Sequence, residues 1–500
     1  MIFKNVNELN NKTETAFFIE QLQVYIRLVE VYCEKSNQYF DHDVNVIPLN
    51  ELKSIGLIRD EKDLDGLRKV AGPIYDDFIS AVSFASQHRK DMGGCLDKLY
   101  NSERKKLQKA ASEKHELTLV DFFCGAGGLS LGFLQEGFNV KLANDIEDVC
   151  IQTYKYNHPE LPTSKLIQGD IKQIVDHVED YIDENIDIVV GGPPCQGFSE
   201  ANRQRVIDDP RNKLYKYYVQ AVEKIAPKVV VMENVKGMLK VANQVVEDYE
   251  SLRIKKNGNE YTYKVEYRII NSQNFNVAQS RDRLIYIALR NDVMAKKGIS
   301  PADIFDGIEK SYKNHKTFIL QDALDCIKPL DAPRVKNMNE VDSETTGKKI
   351  DVNNYGSNDY LTLINMGRDI PYVFNHKARY VSDVNYEIYK RLNPGDDATD
   401  EKIVDIMPYA HRNHCFKDKY YKLHADRPCR TITAHLRMDC HSHIHPSQIR
   451  ALTPREAARV QSFPDDYLFW GAYLKTYMQI GNAVPPMMAR GLAHVIKQYL

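Results

Sequence analysis

Residues 117–128, LTLVDFFCGAGG, decide the predicted fold because they join a buried strand to a glycine-rich turn. The apolar run is typical of a strand covered on both faces, as in a parallel sheet. A helical stretch at residues 129–136 follows, and a second strand at residues 140–143 ends in Asn144 and Asp145. The pattern therefore predicts a βαβ unit that opens a doubly wound α/β domain.

The glycine turn and the acidic residue after the second strand predict a site for a nucleoside cofactor. Gly125, Gly127 and Gly128 let a ligand approach the backbone closely. Asp145 follows the second strand, where a carboxylate can accept hydrogen bonds from ribose hydroxyls. The glycines do not follow the GxGxxG spacing, so a dinucleotide is not favoured.

Polar residues also follow the next two predicted strands. Asp170 comes after the strand at residues 165–167, and its carboxylate can meet the exocyclic amine of a base. Cys195 comes after the strand at residues 186–190, within GGPPCQGFS at residues 191–199, where two prolines stiffen the turn. A cysteine presented in this way indicates a nucleophile rather than a buried thiol.

A carboxylate and two arginines complete this predicted edge of the sheet. Glu233 follows the strand at residues 229–232, and a buried carboxylate is costly unless it is paired or functional. Because this strand comes next after the cysteine strand, we expect Glu233 to lie near Cys195. Arg281 and Arg283 precede the last predicted strand and alternate onto one face, where they can brace carboxylates or hold an anion.

Composition indicates a soluble globular chain of more than one domain. A chain of 500 residues is too long to fold around a single hydrophobic core. Because the net charge is only -2, any binding of nucleic acid must rest on local basic patches. The nine cysteines include no CxxC pair, which favours a reducing compartment over a disulfide framework or a zinc ribbon. Without a signal-peptide pattern or a run of about 18 apolar residues, we expect a cytosolic protein with no membrane partner.

The first 115 residues are predicted to be helical and contain no motif that indicates a function. Apolar residues recur at helical spacing from Phe18 to Cys33, which marks one buried face. A basic cluster at residues 104–106 indicates a solvated helix or linker, with contact to a nucleic-acid backbone as the alternative. The role of this segment stays open.

In this order, the motifs resemble those of the DNA cytosine-5 methyltransferases. DFFCGAGGLSLGF is similar to the family's cofactor loop, GGPPCQGFS to its nucleophile loop, MENV to its glutamate motif and QSRDR to its Arg-x-Arg motif. Residues 450–467 and 479–486 match two C-terminal motifs. The resemblance covers residues 117–289 and 427–500.

The resemblance implies a class I methyltransferase core with a doubly wound, mostly parallel sheet. It also implies a smaller target-recognition domain. The N-terminal helical extension lies outside the part of the chain that the resemblance covers. The four predicted segments are the extension at residues 1–115, the catalytic core at 116–289, the recognition domain at 290–449 and a segment at 450–500 that returns to the core.

The resemblance also implies methyl transfer from S-adenosylmethionine to C5 of a cytosine flipped out of duplex DNA. Cys195 is expected to add to C6, Glu233 to contact N3 and the 4-amino group, Arg281 to contact O2, and Arg283 to brace Glu233. The loop at residues 196–212 is expected to close over the base. The implied cofactor residues are Phe122, Gly125, Gly127, Gly128, Asp145, Ile146, Asp170, Ile171, Pro194, Leu214, Asn482 and Val484.

The second half of the recognition segment concentrates histidine, basic and aromatic residues. Ligand pairs at zinc-finger spacing are absent, so no metal site is predicted. The histidines and basic residues are predicted to form a polar surface for phosphates and base edges, whereas the aromatic residues are predicted to form a small core. The three sets are His411, His414, His424, His435, His441, His443 and His445; Arg412, Lys417, Lys419, Lys422, Arg427, Arg430 and Arg437; and Tyr409, Phe416, Tyr420 and Tyr421.

The expected partner is double-stranded DNA, and the expected setting is a prokaryotic restriction-modification system or a solitary methylase. A cognate restriction nuclease is a possible second partner, and the expected location is the cytoplasm, at the nucleoid. Two alternatives stay open: a tRNA cytosine-5 methyltransferase on the same scaffold, and a DNA-binding regulator that kept the fold and lost catalysis.

Overall fold

The computed structural model describes residues 2–39, 47–89, 92, 96–114, 116–194, 213–313, 315–408 and 419–500. The strands in these ranges are β1 (Thr118–Phe122), β2 (Asn139–Asp145), β3 (Leu166–Gln168), β4 (Ile188–Gly191), β5 (Val229–Asn234), β6 (Ile254–Lys256), β7 (Asn259–Tyr261), β8 (Tyr263–Asn271), β9 (Asp282–Arg290), β10 (Gly347–Val352) and β11 (Tyr372–Lys377).

Helices surround these strands. They are α1 (Lys12–Ser36), α2 (Leu49–Ile55), α3 (Leu64–Ala71), α4 (Tyr75–His88), α5 (Asn101–Glu113), α6 (Gly128–Gln135), α7 (Asp148–Asn157), α8 (Ile171–Asp176), α9 (Val178–Tyr181), α10 (Lys213–Ile225), α11 (Ala242–Glu250), α12 (Asn291–Lys297), α13 (Pro301–Tyr312), α14 (Leu320–Leu324), α15 (Asp359–Ile364), α16 (Asp383–Arg391), α17 (Pro454–Val460), α18 (Tyr473–Asn482) and α19 (Pro486–Tyr499).

A 7-stranded sheet in the order β3-β2-β1-β4-β5-β9-β8 forms the centre of the molecule. Neighbouring strands from β3 to β5 are parallel, whereas β9 is antiparallel to both β5 and β8. The predicted doubly wound, mostly parallel sheet is therefore confirmed. The strand order changes direction between β1 and β4, and such a switch point opens a crevice at the carboxyl ends of the strands.

Helices cover both faces of the sheet, which explains why β4 and β5 read as unbroken apolar runs. One hydrophobic cluster packs α6, α7, α13 and α17–α19 against the sheet. The other packs α8, α10 and α11 against the opposite face. The crevice between β1 and β4 therefore lies in a rigid three-layer frame.

The N-terminal helices share a hydrophobic core with the rest of the chain. Trp470 lies in this cluster with residues of α1–α4, with Tyr156 of α7 and with Phe374 of β11. The ring centroid of Trp470 is 5.3 Å from that of Phe17 and 5.6 Å from that of Tyr156. Residues 1–115 are therefore packed against parts of the segments at residues 116–289, 290–449 and 450–500.

The basic cluster of α5 does not form a uniformly solvated face. Arg104 is 2% exposed, and its guanidinium donates to the carbonyl oxygens of Lys98 at 3.2 Å and Lys155 at 2.8 Å. Lys106 forms a surface ion pair with Glu103. The alternative of a nucleic-acid contact is therefore wrong for Arg104, because its charge is used to join α5 to the end of α7.

Across the described ranges, no helix combines the length and the apolar character needed to cross a membrane.

Candidate active site

Glu233 and Arg283 meet at the carboxyl end of β5. Arg283 Nε lies 2.7 Å from Glu233 Oε1, and the two side chains are 13% and 12% exposed. Adjacent antiparallel strands, β5 and β9, present these side chains to each other. A nearly buried ion pair of this kind fixes the orientation of the carboxylate.

The start of the predicted nucleophile loop lies against the same carboxylate. A Cβ at Gly192 would stand 3.1 Å from Glu233 Oε2, so the loop passes directly beside the acid. Asn234 Nδ2 donates to the carbonyl oxygen of Pro193 at 3.1 Å and anchors the loop to β5. Pro194 is exposed, and Cys195 lies outside the described residues, as does the loop at residues 196–212.

Arg281 is placed differently from Arg283. Its side chain is 2% exposed, and its two terminal nitrogens donate to the carbonyl oxygens of Ile432 at 2.5 Å and Gly481 at 3.1 Å. Its Nε is buried without a hydrogen-bond partner in the described part of the chain. Burial lowers the pKa of Arg281, and the nearby charge of Arg283 lowers it further. Arg281 therefore joins the recognition and C-terminal segments to the edge of the sheet and keeps one donor free.

The glycine turn after β1 is tied to Asp145 at the end of β2. Gly125 has a φ of +53°, and a Cβ there would have no neighbour within 4 Å. Its N–H donates to Asp145 Oδ2 at 2.9 Å, and the N–H of Glu147 donates to Oδ1 at 2.8 Å. Burial raises the pKa of Asp145. Each carboxylate oxygen keeps a lone pair for a ribose hydroxyl.

Gly127 and Gly128 have a packing role that the sequence did not predict. A Cβ at Gly127, where φ is +86°, would overlap the side chains of His158 and Tyr467. A Cβ at Gly128 would overlap the carbonyl oxygen of Val484. Neighbouring protein therefore fills the space that a ligand was expected to occupy, and Gly125 alone of the three faces open space.

Phe122 does not fit the predicted contact with adenine. Its side chain has no exposed surface and packs edge-on against Tyr218, with the ring centroids 6.3 Å apart. The next residue, Phe123, is partly exposed and has a φ of +58°. Because its side chain is partly accessible just beyond the end of β1, Phe123 fits the aromatic position of the cofactor site better than the fully buried Phe122. Ile146, 66% exposed after β2, offers an apolar surface there.

The remaining predicted cofactor residues differ in their exposure. Asp170 is exposed and caps α8, whereas Ile171 is 2% exposed and belongs to the core, which argues against its predicted contact with adenine. Asn482 is exposed, Leu214 is half-buried, and Val484 lies against the glycine turn. An open glycine, a carboxylate with free lone pairs and an exposed apolar side chain together fit the nucleoside of S-adenosylmethionine.

A buried carboxylate lies beneath the glycine turn and was missed by the sequence reasoning. Asp121 Oδ2 accepts a hydrogen bond from Ser130 Oγ at 2.5 Å, and Tyr154 donates to the same hydroxyl at 2.8 Å. Asp121 Oδ1 has no partner among the described atoms. Burial raises the pKa of Asp121 to about 7. An acidic residue inside an otherwise apolar strand was the available signal.

Several residues predicted to form a polar surface for DNA are internal. His443 and His445 are 2% and 3% exposed, and burial lowers the pKa of each to about 3. His441 Nδ1 and the hydroxyl of Tyr389 share a hydrogen bond of 2.8 Å, and burial lowers the pKa of His441 to about 4. Lys422 is 8% exposed, and its ammonium donates to backbone carbonyls of α16 and its end. The predicted surface is therefore wrong for His443, His445 and Lys422, whereas His441 is half-buried.

Other residues of this region remain available at the surface. Arg427, His435 and Arg437 are exposed, whereas Lys419 is paired with Asp439 at 2.7 Å. Arg430 is half-buried, its guanidinium 4.7 Å from the ring centroid of Tyr421. His424 is half-buried, and Tyr420 belongs to the small core, as predicted. The described ranges contain no group of three metal-ligating side chains. The predictions for Tyr409, His411, Arg412, His414, Phe416 and Lys417 fall outside the described residues.

Comparison with known proteins gives concordant results. A family model for the C-5 cytosine-specific DNA methylases matches residues 117–498. Type II methyltransferase M1.HphI of Haemophilus parahaemolyticus is 30% identical over 76% of this chain and 86% of its own length. Type II methyltransferase M.DdeI of Desulfomicrobium norvegicum is 31% identical over 77% of this chain and 89% of its own.

A solved structure shows the same fold. It is that of a protein described as a prophage-encoded DNA modification methyltransferase of E. coli, with a TM-score of 0.58 and 24% identity, over 77% of this chain and 99% of that one. The resemblance noted in the motifs is thus confirmed. The chain belongs to the C-5 cytosine-specific DNA methylases, enzymes that use S-adenosylmethionine as the methyl donor.

Proposed function

We propose that this enzyme methylates C5 of a cytosine within one specific duplex sequence, as the methyltransferase of a restriction-modification system. The observation that carries the residue-level proposal is the Glu233–Arg283 pair at the start of the nucleophile loop. The crevice brings this pair to the same edge of the sheet as Gly125 and Asp145. An acid and a nucleoside site at the edge where the loop that carries Cys195 begins suit covalent catalysis on a pyrimidine.

Cys195 is proposed to supply the nucleophile. C5 of cytosine is too weak a nucleophile to take a methyl group directly. Addition of the Cys195 thiolate to C6 forms an S–C6 bond and moves the ring electrons towards C5. After methylation, the C5 proton passes to solvent, the N3 proton returns to Glu233, and cleavage of the S–C6 bond restores the aromatic ring and the thiolate.

Glu233 is proposed to deliver the proton that N3 takes during this addition. The carboxyl group hydrogen-bonds N3 and the 4-amino group of the flipped base. Arg283 holds Oε1 through its Nε, which leaves Oε2 and the second lone pair of Oε1 for the substrate. Arg281 is proposed to contact O2 of the base with its unpaired Nε, while its other nitrogens stay bound to the backbone.

The carboxyl ends of β1–β4 are proposed to hold the cofactor. When bound, S-adenosylmethionine supplies an electrophilic methyl group. Asp145 holds the ribose hydroxyls, Gly125 permits the close approach, and Phe123 and Ile146 cover the adenine. Further contacts are proposed for Asp170, Pro194, Leu214, Asn482 and Val484.

The segment at residues 290–449 is proposed to read the DNA sequence, and the segment at 450–500 to complete the catalytic core. The target base must leave the duplex to reach the edge of the sheet. The relatives named as Type II methyltransferases support a restriction-modification setting, with a nuclease that cuts the same sequence as a partner. On this proposal, the enzyme acts on chromosomal DNA at the nucleoid.

Bisulfite sequencing of DNA from cells that express the chain tests the proposed reaction and maps its site. We expect one short sequence to carry protected cytosines, and none in cells that express Cys195→Ser. Side-by-side labelling of duplex DNA and tRNA with a methyl-tritiated cofactor tests the alternative substrate. Label in tRNA alone would replace this proposal, and label in neither would favour a catalytically silent DNA-binding protein.

A further inference from the structure

The side chain of Tyr467 lies against the glycine turn that follows β1. Its hydroxyl donates to the carbonyl oxygen of Ala126, in the middle of this turn and 341 residues away along the chain. The side chain is 2% exposed, and a Cβ at Gly127 would stand 2.8 Å from the Tyr467 hydroxyl oxygen. The C-terminal segment therefore reaches the centre of the turn with one buried polar atom.

His158 orients the Tyr467 hydroxyl. Its Nε2 lies 3.0 Å from the hydroxyl oxygen. Because the Ala126 carbonyl oxygen can only accept, the hydroxyl proton points to it, and the imidazole N–H donates to the hydroxyl. The His158 ring is 1% exposed and stacks on Tyr154, with the ring centroids 4.1 Å apart. The two side chains therefore form a buried support for the turn.

The N-terminal extension holds the chain before and after His158. Arg104 of α5 donates to the carbonyl oxygen of Lys155 at 2.8 Å. The helical partner of that carbonyl would be residue 159, which is a proline without an N–H, so Arg104 satisfies it instead. Gln108 Nε2 of α5 donates to the carbonyl oxygen of Pro159 at 3.2 Å. The extension thus supports the imidazole that orients the tyrosine.

The glycine turn depends on such contacts because part of its backbone is in the left-handed region. Phe123 and Gly125 have φ values of +58° and +53°, and the first is unfavourable for a residue with a Cβ. A conformation of this kind persists only where the surrounding structure fixes it. Asp145 fixes the N–H of Gly125, and Tyr467 fixes the carbonyl of the next residue.

We propose that Tyr467 is a positioning residue for S-adenosylmethionine, which holds the turn in the conformation that binds the cofactor. This inference rests on the proposed cofactor site, where Gly125 faces open space and Asp145 keeps lone pairs for the ribose. A turn that is fixed beforehand loses little conformational freedom when the cofactor binds. Loss of the hydroxyl should therefore weaken cofactor binding but leave the methyl-transfer step unchanged once the cofactor is bound.

Calorimetric titration of the full chain with S-adenosylmethionine, without DNA, measures the first effect. We expect Tyr467→Phe, which removes only the hydroxyl, to raise the Kd by about tenfold, because a buried carbonyl loses its donor. Steady-state methylation of DNA that carries the mapped sequence measures the second effect. The KM for S-adenosylmethionine should rise by a similar factor, and kcat should stay within about twofold of the wild type.

Tyr360→Phe is the matched control. The Tyr360 side chain is 0% exposed, and its hydroxyl also donates to a backbone carbonyl, that of Arg459 at 2.6 Å. We expect Tyr360→Phe to lower the Tm about as much as Tyr467→Phe does and to leave the Kd at the wild-type value. A Kd raised equally by both substitutions would overturn the inference, because general destabilisation would then explain it.

Asp145→Asn, at the proposed ribose contact, separates this inference from the proposed function. It should also weaken binding of S-adenosylmethionine. An unchanged Kd for Tyr467→Phe beside a raised Kd for Asp145→Asn would overturn the inference and leave the proposed site in place. An unchanged Kd for Asp145→Asn would contradict the proposed site and overturn the inference with it.

Discussion

The Glu233 carboxylate is paired with Arg283 Nε at 2.7 Å, and the Gly192 backbone passes beside its Oε2. Glu233→Gln keeps the shape of the side chain but removes the acidic proton. We expect kcat to fall by about 10²–10⁴-fold, the range that one acid–base group contributes. Calorimetric binding of S-adenosylmethionine should be unchanged, because the cofactor residues lie on other strands.

Glu247→Gln on the exposed face of α11 is the control for this substitution. It should leave both kcat and cofactor binding at wild-type values. Activity of Glu233→Gln within a factor of about three of the wild type would contradict the assigned role of the acid.

The buried Asp121 carboxyl group should make the stability of the folded protein depend on pH. Burial raises its pKa from 3.8 to about 7, so the folded state holds a proton that the unfolded state releases. The stabilisation by this proton is complete below pH 3.8 and is lost as the pH rises through 7. Asp121→Asn cannot ionise, so the Tm of the variant minus that of the wild type should increase between about pH 4 and pH 8.

Thermal unfolding of both proteins across this range is the measurement. A Tm difference between Asp121→Asn and the wild type that stays constant with pH would show that the Asp121 carboxyl does not titrate on folding.

At the scale of elements, α17 is stabilised by buried charges rather than by apolar contacts alone. Arg450 contacts Glu456 through two bonds of 2.7 Å and 2.6 Å, and both side chains are 0% exposed. Glu456 also closes a capping box with Thr453 at the start of the helix. Glu456→Gln leaves the Arg450 charge buried without a counter-ion, and we expect a loss of about 3–5 kcal/mol in the free energy of unfolding.

Glu147→Gln removes an ion pair with Lys475 in which the side chains are 48% and 46% exposed. A pair this exposed contributes about 0–1 kcal/mol, so the variant should unfold close to the wild type. Equal effects of the two substitutions in denaturant or thermal unfolding would contradict the role assigned to the buried pair.

The elements differ in how far the sequence predicts them. The strands of the central sheet follow from apolar runs, since a strand buried on both faces has few other compositions. The sequence did not predict that Lys422 and His443 turn inwards, because their polar types favour the surface and tertiary hydrogen bonds decide otherwise. The same limit applies to Phe122 and Phe123, which have the same side chain but differ in exposure because β1 ends between them.

At the scale of the whole molecule, the single tryptophan reports on how the N-terminal helices pack. Trp470 lies between Phe17 of α1 and Tyr156 of α7, and its side chain is 1% exposed. Phe17→Ala should admit water to this cluster and shift the Trp470 emission to longer wavelength, with a fall in Tm. Tyr39→Ala, at a residue that is 90% exposed, is the control and should change neither quantity.

An unshifted emission maximum and an unchanged Tm for Phe17→Ala would show that residues 1–115 fold apart from the core. The sequence could not predict this arrangement, because the periodicity of α1 indicates that a face is buried but not what covers it. The structure supplies the partners, which come from α7, β11 and the segment after α17.

The measurement that tests the central claim most directly is covalent trapping on a duplex that carries 5-fluorocytosine at the mapped target position. The fluorine cannot leave as the C5 proton does, so the proposed S–C6 bond should persist once the methyl group has been transferred. We predict one protein–DNA adduct in the presence of S-adenosylmethionine, located at Cys195 by peptide mass spectrometry and absent from Cys195→Ser. An adduct at another residue, or methylation of ordinary DNA with no adduct on the fluorinated duplex, would contradict the account.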